Sequence, residues 1–228
     1  MNDIKYRHEH KLYINLGDYY ILRSRLRTIM RLDMNSRGDE GYFIRSIYFD
    51  DINDKALFEK ISGVNHREKF RIRLYNNDAS FIKLEKKIKD NGLTAKFSTK
   101  ISIEECNKIL SGDIDWIKFT DNSLLKELYI KMKSELFKPK TIVDYNREAY
   151  IYPIGNVRIT FDRTIKSGVF SRKIFDENLS TVGVLDSKIV ILEVKYDEFL
   201  PDIVADIIQV GDRRLTAVSK YALCRVFG

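Results

Sequence analysis

The chain has 228 residues, 44% of them hydrophobic and 32% charged, which suits a folded protein with a sizeable core and excludes a low-complexity or disordered one. Lys and Arg total 40 against 33 Asp and Glu, a net of +7 that points to anionic partners without choosing among them. Three His and two Cys are too few for a zinc site built from such ligands and suggest no disulfide framework.

Period-2 alternation predicts strands over Lys5–Ile14, Phe43–Asp50, Glu68–Tyr75, Phe81–Lys89, Thr94–Ile101, Thr141–Tyr150, Val157–Asp162 and Lys188–Tyr196. Helical spacing falls between them. Asp18–Leu32 carries Ile21, Leu22, Leu26, Ile29 and Met30 at the right steps. Ser102 with Glu105 is a capping-box pattern, and Gly112 supplies the stop. Ser123–Phe137 ends before Pro139, Pro201 opens a helix to Val210, and Thr216–Phe227 reads as a last short helix. No apolar run approaches the about 18 residues of a membrane span, and the polar N-terminus lacks a signal peptide, so a cytoplasmic location is expected. With no internal repeat or composition shift, residues 1–228 read as a single domain. The expected fold class is α+β: an eight-stranded antiparallel sheet closed into a barrel, with helices packed outside.

Alternation also assigns faces. Arg7, Glu9 and Lys11 share one, as do Arg71 and Arg73; Lys83, Glu85 and Lys87; Tyr145 and Arg147; Arg158, Thr160 and Asp162; and Glu193 and Lys195. The wet face of an antiparallel sheet would explain such charge on any single strand. Here it recurs on six strands, with nine basic and four acidic residues. If the sheet closes, that face lines the lumen. So many cations inside are tenable only if the lumen stays wet or takes an anion. Guanidiniums match phosphate oxygens in pairs, and a few carboxylates suit a hard divalent cation. The pattern therefore predicts a wet cationic tunnel for a polyphosphorylated ligand with Mg2+ or Mn2+.

The same strands carry a resemblance. Tyr6-Arg7-His8-Glu9-His10-Lys11, Ser46-Ile47-Tyr48-Phe49-Asp50-Asp51, Arg67-Glu68-Lys69-Phe70-Arg71-Ile72-Arg73 and Leu84-Glu85-Lys86-Lys87 come first. Tyr145-Asn146-Arg147, Val157-Arg158-Ile159-Thr160-Phe161-Asp162, Ile191-Leu192-Glu193-Val194-Lys195 and Ser219-Lys220-Tyr221 follow. In this order they resemble the triphosphate tunnel metalloenzymes, or CYTH superfamily, and more closely the catalytic domain of the VTC polyphosphate polymerases. The resemblance implies a tunnel of eight antiparallel strands and an ATP-dependent polyphosphate polymerase, a metal-dependent phosphotransferase. It assigns phosphate or nucleotide contacts to Lys11, Lys60, Arg71, Arg73, Lys87, Lys96, Tyr145, Arg147, Arg158, Lys195, Ser219 and Lys220, and the metal to Glu193, helped by Glu9. Arg71, Arg73, Lys87, Arg147, Arg158 and Glu193 would act on the transferring group. The first strand reads Arg7-x-Glu9-x-Lys11 where the superfamily has Glu-x-Glu-x-Lys, a loss that fits the VTC branch, and Ala217 stands where VTC members often have a basic residue. The SPX domain and membrane helices of the eukaryotic enzymes have no counterpart in the sequence, so coupling to translocation is not expected.

Other residues have plainer expectations. Glu193 could instead pair with an Arg of a neighbouring strand, and Tyr145 could simply pack. Lys86 and Lys89 are expected outside as solvated charges, and His8 and His10 point outward. Cys106 and Cys224 read as core residues, and Asp50 and Asp51 as loop caps rather than metal ligands. Partners are therefore ATP and polyphosphate. Nucleic acid is disfavoured because aromatics are not seen to interleave with the basic face. Two alternatives stand beside the polymerase: a triphosphate hydrolase of the same fold, and a polyphosphate-binding module without turnover.

Overall fold

The computed structural model describes residues 5–36, 41–211 and 216–228. The polar opening at 1–4 lies outside them. All eight expected strands form, joined by two short ones. They are β1 (His8–Asn15), β2 (Arg31–Leu32), β3 (Tyr42–Asp50), β4 (Arg67–Tyr75), β5 (Asp78–Asp90), β6 (Leu93–Ile101), β7 (Lys138–Tyr152), β8 (Val157–Ser167), β9 (Val182–Gly183) and β10 (Ile189–Tyr196). The helices are α1 (Leu16–Ile29), α2 (Lys55–Ile61), α3 (Ile103–Ser111), α4 (Ser123–Ser134), α5 (Asp202–Ile207) and α6 (Lys220–Val226). No helix among the described residues is long and apolar enough to cross a membrane.

The main strands form one antiparallel sheet in the order β1-β10-β8-β7-β3-β4-β5-β6, with β2 on β7 and β9 on β8. Register shifts between Tyr48 and Phe49, Arg73 and Tyr75, and Asp144 and Asn146 add local twist, and the sheet curls. Its edges meet at one antiparallel bridge, where Arg7 and Thr94 each donate N–H to the other's carbonyl at 2.9 Å. The continuous closure expected of a barrel is not shown; the molecule is a curled half-barrel. Antiparallel register would next set Glu9 against Gly92, in the β5–β6 turn, and Lys5 against Lys96, ahead of β1. The overlap therefore runs out on both sides of the bridge.

Helices cover the convex face, where the apolar half of each alternating strand goes. Phe70, Ile72, Leu74, Ile82 and Leu84 pack under Ile109 of α3 and Leu125 and Leu128 of α4. Ile159, Phe161, Leu192 and Val194 pack under Tyr19, Leu22 and Leu26 of α1. Each such side chain contributes about 1.5–3 kcal/mol on burial. A third cluster lies on the concave side, where α6 and α2 bring Tyr221, Cys224 and Leu57 against Tyr48, Val143 and Tyr145.

The helix ends have local causes. The expected box at Ser102 and Glu105 caps α3, and Gly112 ends it at φ 90°. A second box, Asn15 with Asp18, caps α1. α4 stops short of Phe137 because the chain turns at Leu136, φ 54°, to enter β7. α6 begins at Lys220 instead of Thr216: Thr216 N–H donates to the Lys11 carbonyl at 2.8 Å, holding that segment along β1, and Ser219 Oγ accepts from Ala222 N. The helix α2 has no counterpart in the predicted elements. Asp50 Oδ1 accepts from Ala56 N at 2.9 Å and Asp50 Oδ2 from Leu57 N at 3.1 Å, while Asp51 Oδ1 accepts from Lys55 N at 2.8 Å. Both aspartates thus cap a helix start; they were expected to cap a loop, and the capped segment is the unpredicted α2.

Candidate functional site: a cationic cavity

The concave side of the sheet encloses a cavity of about 1010 Å³. Sixteen Lys and Arg side chains line it against three acids, Glu9, Asp78 and Glu193. All fourteen site residues expected from the sequence lie on its wall. β1 supplies Glu9 and Lys11, β4 Arg71 and Arg73, β5 Lys87, and β6 Lys96. β7 supplies Tyr145 and Arg147, β8 Arg158, and β10 Glu193 and Lys195. Lys60 comes from α2, and Ser219 and Lys220 from the start of α6.

Two buried carboxylates anchor the arginines from behind. Glu85 accepts from Arg71 Nε at 2.8 Å, with Arg73 Nη1 at 3.5 Å and Lys96 Nζ at 3.2 Å. Asp162 takes Arg147 in a bidentate pair at 2.6 and 2.8 Å and also contacts Lys220. Neither carboxylate lines the cavity. Burial alone would raise Glu85, but Arg73 and Arg71 hold it well below the usual carboxylate range. Hydroxyls complete the positioning: Arg71 donates to Tyr48 Oη at 2.8 Å, and Arg73 to Ser46 Oγ at 3.1 Å and Tyr145 Oη at 3.0 Å. Arg158 donates to Asp33 at 2.7 Å and to Tyr42 Oη at 2.8 Å. Tyr145 both packs and bonds, since it is 2% exposed and lies under Arg147, 5.3 Å from the ring centre.

Glu9 and Glu193 share a nest of lysines. Lys11 Nζ is 2.8 Å from Glu9 and 3.3 Å from Glu193; Lys195 is 2.6 Å from Glu193, and Lys87 contacts Glu9. The partners of Glu193 are therefore lysines, not an arginine of the next strand. Burial would raise Glu9, yet Lys11 and Lys87 pull it far down; Lys195 and Lys11 do the same for buried Glu193. Both are anionic at neutral pH. Among the described residues no cluster of three or more His, Cys, Asp or Glu exists to hold a metal alone. An Mg2+-type ion takes one or two carboxylates and completes its shell with phosphate and water, so this pair fits such an ion with the ligand present.

Several wall residues were not expected. On β4 the alternation that picks out Arg71 and Arg73 extends back to Arg67 and Lys69, which also line the cavity. Lys89, expected outside, lines it too, because it continues the Lys83, Glu85, Lys87 face. Lys86 is outside but not solvated: it is 8% exposed, between Glu68 at 2.9 Å and Glu127. Aromatics do interleave with the cations. Tyr42, Tyr48, Tyr75, Phe81 and Tyr221 line the wall, with Arg71 5.6 Å from the centre of Tyr48 and Lys83 4.8 Å from that of Phe81. The faces of β3 would have disclosed Tyr42 and Tyr48. His8 and His10 stack with Tyr196 away from the cavity.

A curled antiparallel sheet cradling a wall of cations is the tunnel-type architecture of proteins that handle phosphate compounds. Residues 6–226 match the VTC domain family, and the chain belongs to it. No curated protein matches the chain. Among solved structures, a "putative adenylate cyclase" from Bacillus halodurans is similar at 14% identity, with 90% of this chain and 87% of that chain covered and a TM-score of 0.53. A protein of the same description from Vibrio parahaemolyticus has 10% identity, 88% and 82% coverage and a TM-score of 0.45. A conserved hypothetical protein from Pyrococcus furiosus has 15%, 89% and 85%, and 0.43.

Proposed function

We propose that the protein is an ATP-dependent polyphosphate polymerase whose 228 residues form one tunnel unit. The reading is carried by one observation: arginines anchored from behind on Glu85 and Asp162 face a cavity walled by sixteen cations. Family membership supports it. An oxygen of the chain's terminal phosphate attacks the γ-phosphorus of ATP, the bond to the bridging oxygen breaks, and ADP leaves. Such transfer needs positioning and charge stabilisation more than a nucleophilic side chain. Arg71, Arg73 and Arg147, already oriented, grip the transferring group with Lys87 and Arg158. Lys11, Lys60, Lys96, Tyr145, Lys195, Ser219 and Lys220 hold the remaining phosphates. Glu9 and Glu193 would hold Mn2+ or Mg2+, which supplies neutralisation of phosphate charge when bound.

Incubation with ATP and Mn2+ tests the reading. A polymer ladder on a gel together with ADP is expected. Orthophosphate alone would assign a hydrolase instead. A second reading, binding without turnover, is favoured by the lysines that already neutralise Glu9 and Glu193. Tight polyphosphate binding with no product in either metal would select it.

A further inference from the structure

The inward cations of β4 run Arg67, Lys69, Arg71, Arg73, at steps of about 7 Å. Arg71 and Arg73 rest on Glu85. The other two do not have such a support. Among the described residues, Arg67 and Lys69, with Lys60 of α2 and Lys89 of β5, make no carboxylate ion pair; Arg67 donates to the Val64 carbonyl, and Lys69 Nζ to Ser219 Oγ at 3.2 Å. Lys69 also lies 5.0 Å from the centre of the Tyr221 ring.

Almost every charged group around Lys69 is a cation. Lys11 faces it from β1, Lys60 from α2 and Arg67 from its own strand, and Lys87 is its register partner on β5. Lys220 of α6 is committed to Asp162. The carboxylate acting on Lys69 is Asp50, which already accepts from α2 and, at 2.6 Å, from Tyr221 Oη. Lys60, Arg67 and Lys89 also line a second cavity of about 510 Å³, so these three stand where the two cavities adjoin, with Lys69 beside them bonded to Ser219, which lines both.

We propose that Arg67, Lys69 and Lys89, with Lys60 shared at the border of the main site, form a further phosphate subsite at this junction, which takes a segment of condensed phosphate and takes up protons as it fills. The inference rests on the reading of the cavity as a condensed-phosphate site and adds where a further segment sits and how its binding depends on pH. Burial, then Lys11 and Lys60, brings Lys69 down to about 7; burial and Arg67 bring Lys60 down to about 8; and burial lowers Lys89. Near neutral pH part of this end is therefore uncharged. A phosphate chain supplies the missing negative charge, the amines regain their protons, and affinity falls as pH rises through the range where the free lysines lose theirs.

Titration calorimetry of the full chain with long-chain inorganic polyphosphate, at about pH 8 in two buffers of different ionisation enthalpy, tests this. The internal phosphates stay ionised, so the ligand exchanges few protons. The expected result is net uptake on the order of one proton per protein, with affinity falling up to about tenfold per pH unit between about 7 and 9. Lys69→Met and, separately, Lys89→Met should each reduce the uptake while binding persists. Binding with no proton uptake and no pH dependence overturns the inference, as does uptake unchanged in both variants. Should neither variant fold, Lys69→Arg, which keeps its charge across this range, takes their place and must lower the uptake and flatten the pH dependence, because buried Lys87 of the main site, brought down to about 7, takes up protons of its own. No polyphosphate binding by the wild type at any pH overturns the phosphate reading itself, and the subsite with it.

Discussion

Glu85 shows how a single buried charge organises the cavity. It is fully buried and counts Arg71, Arg73 and Lys96 as partners, so Glu85→Gln leaves three cations without their shared counter-charge. Loss of about 3 kcal/mol of stability is expected in urea unfolding. Arg71→Ala should cut polymer synthesis by about 100-fold or more, since it removes a preorganised donor to the transferring group. Wild-type synthesis with Arg71→Ala would exclude that role. The cysteines should be silent. Cys106 and Cys224 are buried, and burial pushes both thiols up to about 12, so thiol reagents should label them only as the protein unfolds.

At the level of elements, α2 and α6 are tied to each other and to the end of β3. Asp50 joins the N-terminus of α2 to Tyr221 Oη of α6, and Asp54 takes Arg225 of α6 at 2.8 Å through both oxygens. Asp50→Ala strands buried donors on both helices and should lower stability by about 2 kcal/mol in thermal or urea unfolding. Because α6 starts with Ser219 and Lys220, the same variant should also weaken polyphosphate binding, although Asp50 itself does not line the cavity. Gly41 is a second constraint of this kind: at φ 76° it lies so close to β7 that a Cβ would fall 2.2 Å from the Arg147 carbonyl oxygen. Gly41→Ala must displace the strand that carries Arg147.

The whole molecule holds its cations together against their mutual repulsion. Unfolded Lys69 keeps its proton to about its ordinary 10.5, whereas the folded side chain releases it at about 7. The unfolded state binds more protons across that window, so this group makes stability of the free protein rise with pH from about 7 toward 10. Urea midpoints at about pH 7 and 9.5 check the direction. Condensed phosphate should have the opposite preference and stabilise most at lower pH. At a hundred times its Kd, a ligand adds about 2.7 kcal/mol, read as a rise in Tm, and salt should shrink that rise by screening the exposed part of the attraction.

Strand alternation alone discloses the eight main strands, and it separates the helix-covered face of β4, with Phe70, Ile72 and Leu74, from the charged one with Arg71 and Arg73. Side-chain direction in a strand is set by parity, so the sequence carries it. The short α2 escaped because seven residues make fewer than two turns, too few for an apolar stripe to repeat, and Lys60 came only through the resemblance. Lys69 and Lys89 lie inside the predicted strands Glu68–Tyr75 and Phe81–Lys89, where the same parity puts both on the charged face, so an outward Lys89 runs against the pattern. What no local pattern contains is how far the sheet curls, whether its edges pair, and which cation meets which carboxylate. Arg147 reaches Asp162 across β7 and β8, and Lys11 reaches Glu193 across β1 and β10, through register and curvature. Tertiary structure decided which of the cations are neutralised and which stand exposed to one another, because that depends on distances between strands far apart in the chain.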